Sequence, residues 1–147
     1  MPVKRRVIGN LMALVSALLL VNAACRPAPA AAIPWRPSYP LAFEEAREQG
    51  RPLLLYFQAG WCGICRDVEV RALTNPEVAA AAAAAVPVKI DIDQEPRIAE
   101  RFGVDAIPAW IIVPPDGAAP ARLGGRVEAR DLLEFIRQAA GASDPVP

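Results

Sequence analysis

The stretch PLLLYFQAGWCGICRDVEVRAL, residues 52–73, decides how this chain folds. Its first part, residues 52–59, is a short apolar run, which predicts a strand buried on both faces. From Cys65 onward the apolar residues recur at helical spacing, which predicts a helix. Cys62 and Cys65, two of the three cysteines of the chain, therefore lie where a buried strand gives way to a helix.

Two cysteines at this spacing fit a redox couple, a metal site, a haem attachment point or a structural disulfide. The chain has no histidine, which excludes Cys/His catalysis and histidine metal ligands. Haem attachment needs a histidine directly after the second cysteine, but Arg66 occupies that position. A tetrahedral zinc site needs four Cys or His ligands, and the predicted domain has only two cysteines. A structural disulfide that closes a loop of only two intervening residues would add little stability through chain entropy. A Cu(I) site formed by the two thiolates remains an alternative.

The position of the pair favours redox chemistry. At the start of a helix, unpaired N–H groups and the positive end of the dipole stabilise the Cys62 thiolate. That thiolate is the species that attacks a disulfide, and Cys65, about one turn inside the helix, can attack the resulting mixed disulfide. We therefore predict that Cys62 attacks and Cys65 resolves. Trp61 is expected to be partly exposed, where it contacts a partner or simply packs.

The first 24 residues have the order of an export signal. Basic residues at positions 4–6 precede an uncharged apolar run at 11–21 and then small residues. A retained membrane anchor is the alternative, because residues 7–24 are long enough to span a bilayer. Cys25 resembles the lipid-attachment site of bacterial lipoproteins, although cleavage after residues 28–30 would discard it. We expect a protein outside the cytoplasm, where thiols can be oxidised.

Composition and periodicity divide the rest of the chain. Residues 25–40 are rich in proline and alanine and predict an extended linker, followed by a domain at 41–141 and a tail at 142–147. Without the three basic residues of the signal, the mature chain has a formal charge of −3, so nucleic acid is not an expected partner. Helical patterns occur at residues 41–50, 65–73, 95–103 and 128–141 and from Asn75 through the alanine run, and strand patterns occur at 52–59, 86–93, 109–113 and 121–127. This order predicts an α/β domain with a central mixed β-sheet flanked by helices.

The buried strand, the W-C-x-x-C motif, the helix and the later Ile107-Pro108 together resemble the thioredoxin superfamily over residues 41–141. The resemblance implies a thioredoxin fold in which Pro108 is the cis-proline that faces the cysteines and, with Ile107 and Trp61, binds the partner. One branch matches further, the branch of the C-terminal thioredoxin domain of the disulfide interchange protein DsbD. The matching residues are Trp61, Cys62, Cys65, Glu69, Pro76 and Val78.

The branch implies a function. It implies an exported thiol–disulfide oxidoreductase in the bacterial periplasm that reduces disulfides of other exported proteins. A membrane-bound donor would re-reduce its redox-active Cys62–Cys65 disulfide, and no cofactor is expected. The alternatives are a Cu(I)-carrying metallochaperone that uses the same two thiolates and a disulfide oxidase or isomerase.

The chain also departs from the superfamily pattern near the cysteines. Tyr56 replaces a buried aspartate that assists proton transfer to the second cysteine in thioredoxins, and Ala109 stands where threonine is common. Ile64, which follows Gly63 between the cysteines, replaces the usual proline and alters the expected redox potential. Lys89 matches a lysine near the pair in thioredoxins, and Glu69 lies one turn from Cys65. We assign Gly63, Ile64, Lys89 and Glu69 supporting roles.

Overall fold

The structure is a computed structural model that describes residues 32–116 and 118–141. The predicted signal or anchor at 1–24, the lipidation candidate Cys25 and the tail at 142–147 lie outside the described residues. Within the described ranges, no helix combines the length and the apolar character that crossing a membrane requires.

The centre of the fold is a four-stranded mixed sheet, which confirms the predicted α/β class. Its strands are β1 (Leu53–Gln58), β2 (Val86–Asp91), β3 (Ala109–Val113) and β4 (Ala121–Gly124). Their order across the sheet is β2-β1-β3-β4. The neighbours β1 and β2 are parallel, β3 is antiparallel to β1, and β4 is antiparallel to β3.

Five helices surround the sheet in the described part of the chain. They are α1 (Tyr39–Gln49), α2 (Gly63–Arg71), α3 (Pro76–Ala84), α4 (Pro96–Arg101) and α5 (Ala129–Gly141). The start of α3 shows how the sequence sets these bounds. The Asn75 side chain accepts hydrogen bonds from the N–H groups of Glu77 and Val78, so it satisfies two donors that the helix itself cannot.

The alternation of side chains along β1 creates two apolar layers. Leu54 and Tyr56 lie in one cluster with residues of α3 and α5. Leu53, Leu55 and Phe57 lie in a second cluster with residues of α1 and α4. All five side chains are buried, as expected for a central strand covered on both faces.

The folded domain begins before the predicted boundary at residue 41. Ile33 is buried in the first cluster, and Tyr39 already opens α1. The N–H of Arg36 donates to the carbonyl of Pro87 at 2.8 Å, so the chain runs beside β2. The predicted linker is therefore too long at its C-terminal end. Its apolar residues Ile33 and Tyr39 bury their side chains in the domain, which outweighs the extended character of its prolines.

Several predicted element bounds also need correction, among them those of α2 and β4. Helix α2 begins at Gly63, two residues before the predicted start, because Cys62 already caps it. The last strand ends at Gly124, three residues before the predicted end. Gly125 there has φ +81°, a conformation that leaves the extended region and that glycine adopts readily.

Candidate functional site

Cys62 and Cys65 form a disulfide at the point where β1 leads into α2. Cys62 is the N-cap of α2, with φ −75° and ψ 101°, and its Sγ accepts the N–H of Cys65 at 3.1 Å. Their Cα atoms lie 5.2 Å apart. The predicted placement at a strand-to-helix junction is thus confirmed. A backbone donor at the helix start is aimed at the Cys62 sulfur, where it favours negative charge.

The two cysteines differ slightly in access to solvent. Cys62 keeps 5% of its surface exposed, and Cys65 keeps 1%. Both pack with Ala59, and two half-buried side chains, Ile92 and Ile107, cover the same cluster. Cys62 is therefore the more exposed of two buried cysteines.

We call the residues around the exposed side of the disulfide the rim: Trp61, Ile64, Ile92, Asp93 and Ile107. Trp61 is 66% exposed and Ile64 is 42% exposed, so apolar surface lies directly beside the more accessible sulfur. The Nε1–H of Trp61 donates to Asp93 Oδ2 at 2.9 Å. The structure thus shows the partly exposed Trp61 that the sequence predicted, and it adds a hydrogen bond that the sequence did not.

We call the buried aromatic pair behind the disulfide the floor: Tyr56 and Trp110. Both side chains are fully buried, and their rings stack with centroids 3.9 Å apart and planes at 8°. The Tyr56 hydroxyl donates to the carbonyl of Cys65 at 3.4 Å. Burial, and secondarily the negative charge of Glu69, raises the pKa of Tyr56 above its ordinary value. A neutral phenol therefore stands where thioredoxins carry a carboxylate.

Lys89 and Glu69 lie at the edge of the floor and pair with each other. Lys89 Nζ lies 2.7 Å from Glu69 Oε1, and about a third of each side chain is exposed. Strand register places Lys89 beside Tyr56, and the ammonium lies 5.8 Å from the centre of the Tyr56 ring. The structure thus joins two residues that the sequence named separately as supporting.

Pro108 is buried at the start of β3, and the Ile107–Pro108 peptide bond is cis. The Pro108 carbonyl accepts the N–H of Gly125 at 2.9 Å, which ties it to the turn after β4. Ile107 reaches the disulfide cluster. The structure therefore brings Ile107 to the cysteines and places Pro108 next to it, while Gly63 and Ile64 open α2 between the two sulfurs.

The loop between β2 and α4, residues 92–95, was not predicted from the sequence as part of the site. Ile92 packs on the disulfide, and Asp93 holds Trp61. The signal was present, because β1 and β2 are parallel and loops at the carboxyl ends of neighbouring parallel strands meet at one edge of the sheet. Residues that follow β2 therefore had to lie near the cysteines that follow β1.

Among the described residues, no group of three or more Cys, His, Asp or Glu side chains is placed to hold a metal ion. Thiol–disulfide exchange needs none. It needs an accessible sulfur, a second sulfur in reach and a backbone donor that favours the thiolate. The geometry at Cys62 and Cys65 supplies the second sulfur and the backbone donor, and Cys62 keeps the larger exposed fraction of the two.

Comparison with known proteins agrees with this geometry. A family model described as Thioredoxin-like matches residues 34–115, more than half of the chain. Thioredoxin H-type of Oryza sativa subsp. indica is 31% identical over 99 residues, which cover 67% of this chain and 77% of the relative. A solved thioredoxin from Thermus thermophilus superposes with a TM-score of 0.68 at 25% identity, covering 78% of this chain and 92% of that one.

Thiol:disulfide interchange protein DsbD 1 of Pseudomonas aeruginosa is also similar, with 32% identity over 105 residues. The match covers 67% of this chain but only 18% of the relative, so this chain spans less than a fifth of the larger protein. The region that the Thioredoxin-like family model matches includes the cysteine motif and strands β1, β2 and β3. The chain therefore belongs to the thioredoxin-like family, and it carries the thiol–disulfide oxidoreductase site of that family at Cys62 and Cys65.

Proposed function

We propose that this protein is an exported reductase that passes electrons to disulfides of other exported proteins. The observation that carries the proposal is the position of Cys62 at the N-cap of α2, where its Sγ accepts the N–H of Cys65. Similarity to DsbD over the W-C-x-x-C region supports the reductive direction. The protein needs no cofactor for this reaction, because the two cysteines carry the electrons.

In the proposed cycle the reduced Cys62 thiolate attacks one sulfur of a partner disulfide. A bond forms between Cys62 and that sulfur, the partner disulfide breaks, and the second partner sulfur leaves and takes up a proton. Cys65, deprotonated, then attacks Cys62, which restores the Cys62–Cys65 disulfide and releases the first partner sulfur as a thiol after protonation. The partner gains two electrons and two protons, and a dithiol donor must resupply them.

Apolar contacts at the rim give the partner a place to dock. Trp61 and Ile64, which flank Cys62 in the chain, expose apolar surface, and Ile107 packs against the cluster that contains the disulfide. We infer that the partner lies across Ile107 and Pro108 as an extended chain that bonds to exposed backbone. Gly63 adds no side chain to the surface between the sulfurs, although a Cβ would fit there with only an ordinary contact to the Arg66 side chain.

Supporting roles are proposed for two further residues. Glu69 and Lys89 pair beside Tyr56, whose hydroxyl bonds to the backbone of Cys65. Through that contact the pair helps to hold the start of α2 in place. The pair lies at the edge of the floor, so its role is structural support of Cys65 rather than contact with the partner.

Trapping of a mixed disulfide tests the mechanism. With Cys65 replaced by Ala, Cys62 can attack a partner but nothing resolves the product, so covalent partners should accumulate in the exported compartment. The Cys62→Ala variant is the matched control and should trap none. Absence of adducts with Cys65→Ala, under conditions in which a control thioredoxin forms them, would contradict the mechanism.

The direction of electron flow is tested by the reduction potential of the Cys62–Cys65 pair. For a two-electron couple, about 30 mV changes the equilibrium tenfold. A potential close to that of thioredoxin, about −270 mV, supports a reductase, whereas one near −120 mV, the value for a strong oxidant, supports an oxidase. Insulin reduction with dithiothreitol as donor measures the same direction kinetically.

Export and membrane attachment are proposed from the N-terminal sequence. A signal at residues 1–24, with Cys25 acylated or removed, would place the domain in the bacterial periplasm, near the membrane-bound donor that re-reduces it. Fractionation of cells expressing the full chain tests the location. Mass spectrometry of the mature N-terminus distinguishes an acylated Cys25 from cleavage beyond it and from a retained anchor.

The Cu(I) carrier remains the second prediction from the sequence, since two thiolates suffice for that ion. Titration of the reduced protein with Cu(I) in the presence of a competing chelator separates the two functions. Tight copper binding without insulin reduction would replace the reductase proposal.

A further inference from the structure

We propose that Arg126, in the turn after β4, selects partner disulfides by the order of the charges that flank the attacked cysteine. The inference rests on the proposed function, in which the partner lies as an extended chain across Ile107 and Pro108. Its basis is a separation of charge along the edge of the sheet that carries the cysteines. A partner chain that crosses this edge meets an acidic side and a basic side.

The strand order places four segments side by side at this edge. Strands β1 and β2 are parallel, so the loop after β2 lies beside the cysteine motif that follows β1. Strand β3 is antiparallel to β1 and begins at this edge, next to Pro108, and β4, antiparallel to β3, ends there. Since neighbouring strands lie about 4.8 Å apart, the turn after β4 is about 10 Å from the cysteine motif, and the loop after β2 is about 5 Å away on the other side.

The basic side carries one uncompensated positive charge. Arg126 and Arg71 both pair with Asp67 on α2, so two guanidinium groups share one carboxylate. Arg126 keeps 59% of its side chain exposed, whereas Asp67 keeps 26%. The N–H of Gly125, the residue before Arg126, donates to the Pro108 carbonyl at 2.9 Å, which holds this turn against the segment where the partner docks.

The opposite side has an excess of negative charge. The loop after β2, residues 92–95, carries Asp93 and Glu95 and no basic residue. Arg66, at the start of α2, and Asp105, in the segment that leads to β3, are exposed between the two sides, so neither of them favours one order of charges. Charge is therefore separated along the edge, negative beside β2 and positive beside β4.

An extended partner chain presents charges to both sides. Side chains two residues before and two residues after its cysteine point the same way as the cysteine, and each lies about 7 Å from it. A partner with an acidic residue toward Arg126 and a basic residue toward Asp93 and Glu95 gains from both contacts, and the reverse order loses both. Because exposed ion pairs contribute modestly, we expect the favoured order to react about three- to tenfold faster.

Two isomeric peptides test the inference on the reduced full chain. Their orders are Glu-Ala-Cys-Ala-Lys and Lys-Ala-Cys-Ala-Glu, both with capped ends, so composition and net charge are the same. The peptide cysteine is joined by a disulfide to thiopyridine. Cys62 attacks the peptide sulfur and displaces the thiopyridine, whose absorbance gives the rate, and Cys65 then attacks Cys62 and releases the peptide as a thiol. Rates with mercaptoethanol, a neutral thiol, correct for the intrinsic reactivity of each peptide.

Salt and substitutions show whether charge at Arg126 causes the difference. The ratio of the two rates should approach one in about 1 M salt, where charges are screened beyond about 3 Å. Arg126→Gln should reduce the ratio to about half or less, while Arg126→Lys, which keeps the charge, should retain most of it. Arg47→Gln is the matched control and should leave the ratio unchanged, because Arg47 lies beside Leu53 and Val113, at the opposite end of the sheet.

The ratio separates recognition from a purely structural role, because a structural role of Arg126 would slow both isomers alike. Equal rates for the isomers in the wild type, or a ratio that Arg126→Gln leaves unchanged, overturn the inference, while reaction with both peptides still supports the proposed function. If the reduced wild type reacts with neither peptide under conditions in which a control thioredoxin does, the proposed function fails, and the inference fails with it.

Discussion

Two tryptophans lie near the disulfide, and the fold holds them in opposite ways. Trp110, in the floor, is fully buried and stacks on Tyr56 at 3.9 Å, and its Nε1–H has no hydrogen-bond partner within residues 32–116 and 118–141. Trp61, in the rim, is 66% exposed and makes a hydrogen bond to Asp93. Packing holds the first ring, and a polar contact holds the second.

The difference separates stability from recognition. Removal of apolar surface from water is the main stabilising contribution to folding, so the floor should support the fold. Exposed side chains add little to stability, so the rim is free to serve contacts with partners. The floor and the rim belong to the same site. Substitutions in each region can therefore separate the contribution to stability from the contribution to partner binding.

The largest expected effect comes from truncating the two tryptophans. Trp110→Ala leaves a large cavity under the sheet and should lower the free energy of unfolding by about 3–5 kcal/mol. Trp61→Ala removes an exposed ring and should change it by no more than about 0.5 kcal/mol. Urea denaturation of the oxidised domain, followed by circular dichroism, measures both.

The pair of variants is its own control, because the same side chain is deleted on each side of the comparison. If Trp61→Ala destabilised the domain as much as Trp110→Ala, the rim would be part of the core, and the division between floor and rim would be wrong.

A smaller effect is expected from the floor hydroxyl. Tyr56→Phe keeps the stacking on Trp110 but removes the hydrogen bond to the Cys65 carbonyl, which should lower stability by about 0.5–1.5 kcal/mol. The raised pKa of Tyr56 adds a dependence on pH. Above pH ~10 the unfolded tyrosine ionises while the buried one stays neutral, so stability is lost as pH rises.

Stability measured from pH 8 to 11 should therefore fall more steeply in the wild type than in Tyr56→Phe. The difference has an upper limit of about 1.4 kcal/mol per pH unit, the value for one proton. Burial also raises the pKa of Tyr39, the other tyrosine of the chain. Tyr39 therefore lowers stability as pH rises in the wild type and in Tyr56→Phe alike. Parallel pH profiles for the two proteins would show that Tyr56 is reached by water and that the floor is open.

Local patterns in the sequence predicted the strand-to-helix junction of the site better than the contacts that join its loops. The apolar run of β1 and the helical spacing after it fixed the junction at which Cys62 and Cys65 stand. Periodicity reports which face of an element is buried, and residues within one element share that information. The α/β sheet followed for the same reason.

The contacts that sequence reasoning missed join residues far apart in the chain. Asp93 and Trp61 are 32 positions apart, and Lys89 and Glu69 are 20 apart. Single charged side chains on a loop or a half-exposed strand carry no periodic signal, and their partners depend on how elements pack. The start of the domain near Ile33 was missed similarly, because a proline-rich segment predicts extension but not the surface against which it lies.

The smallest expected effect concerns the Lys89–Glu69 pair, which lies between floor and solvent. About a third of each side chain is exposed, so the coupling energy from Lys89→Met, Glu69→Gln and the double variant should stay below about 1 kcal/mol and weaken with added salt. A coupling of several kcal/mol that does not change with salt concentration would instead assign the pair to the buried floor.

Glu69→Gln has a second expected consequence, since the negative charge of Glu69 is the lesser cause of the raised Tyr56 pKa. Ionisation of Tyr56, followed by phenolate absorbance, should move to slightly lower pH in this variant, while burial, the greater cause, keeps the pKa of Tyr56 above its ordinary value.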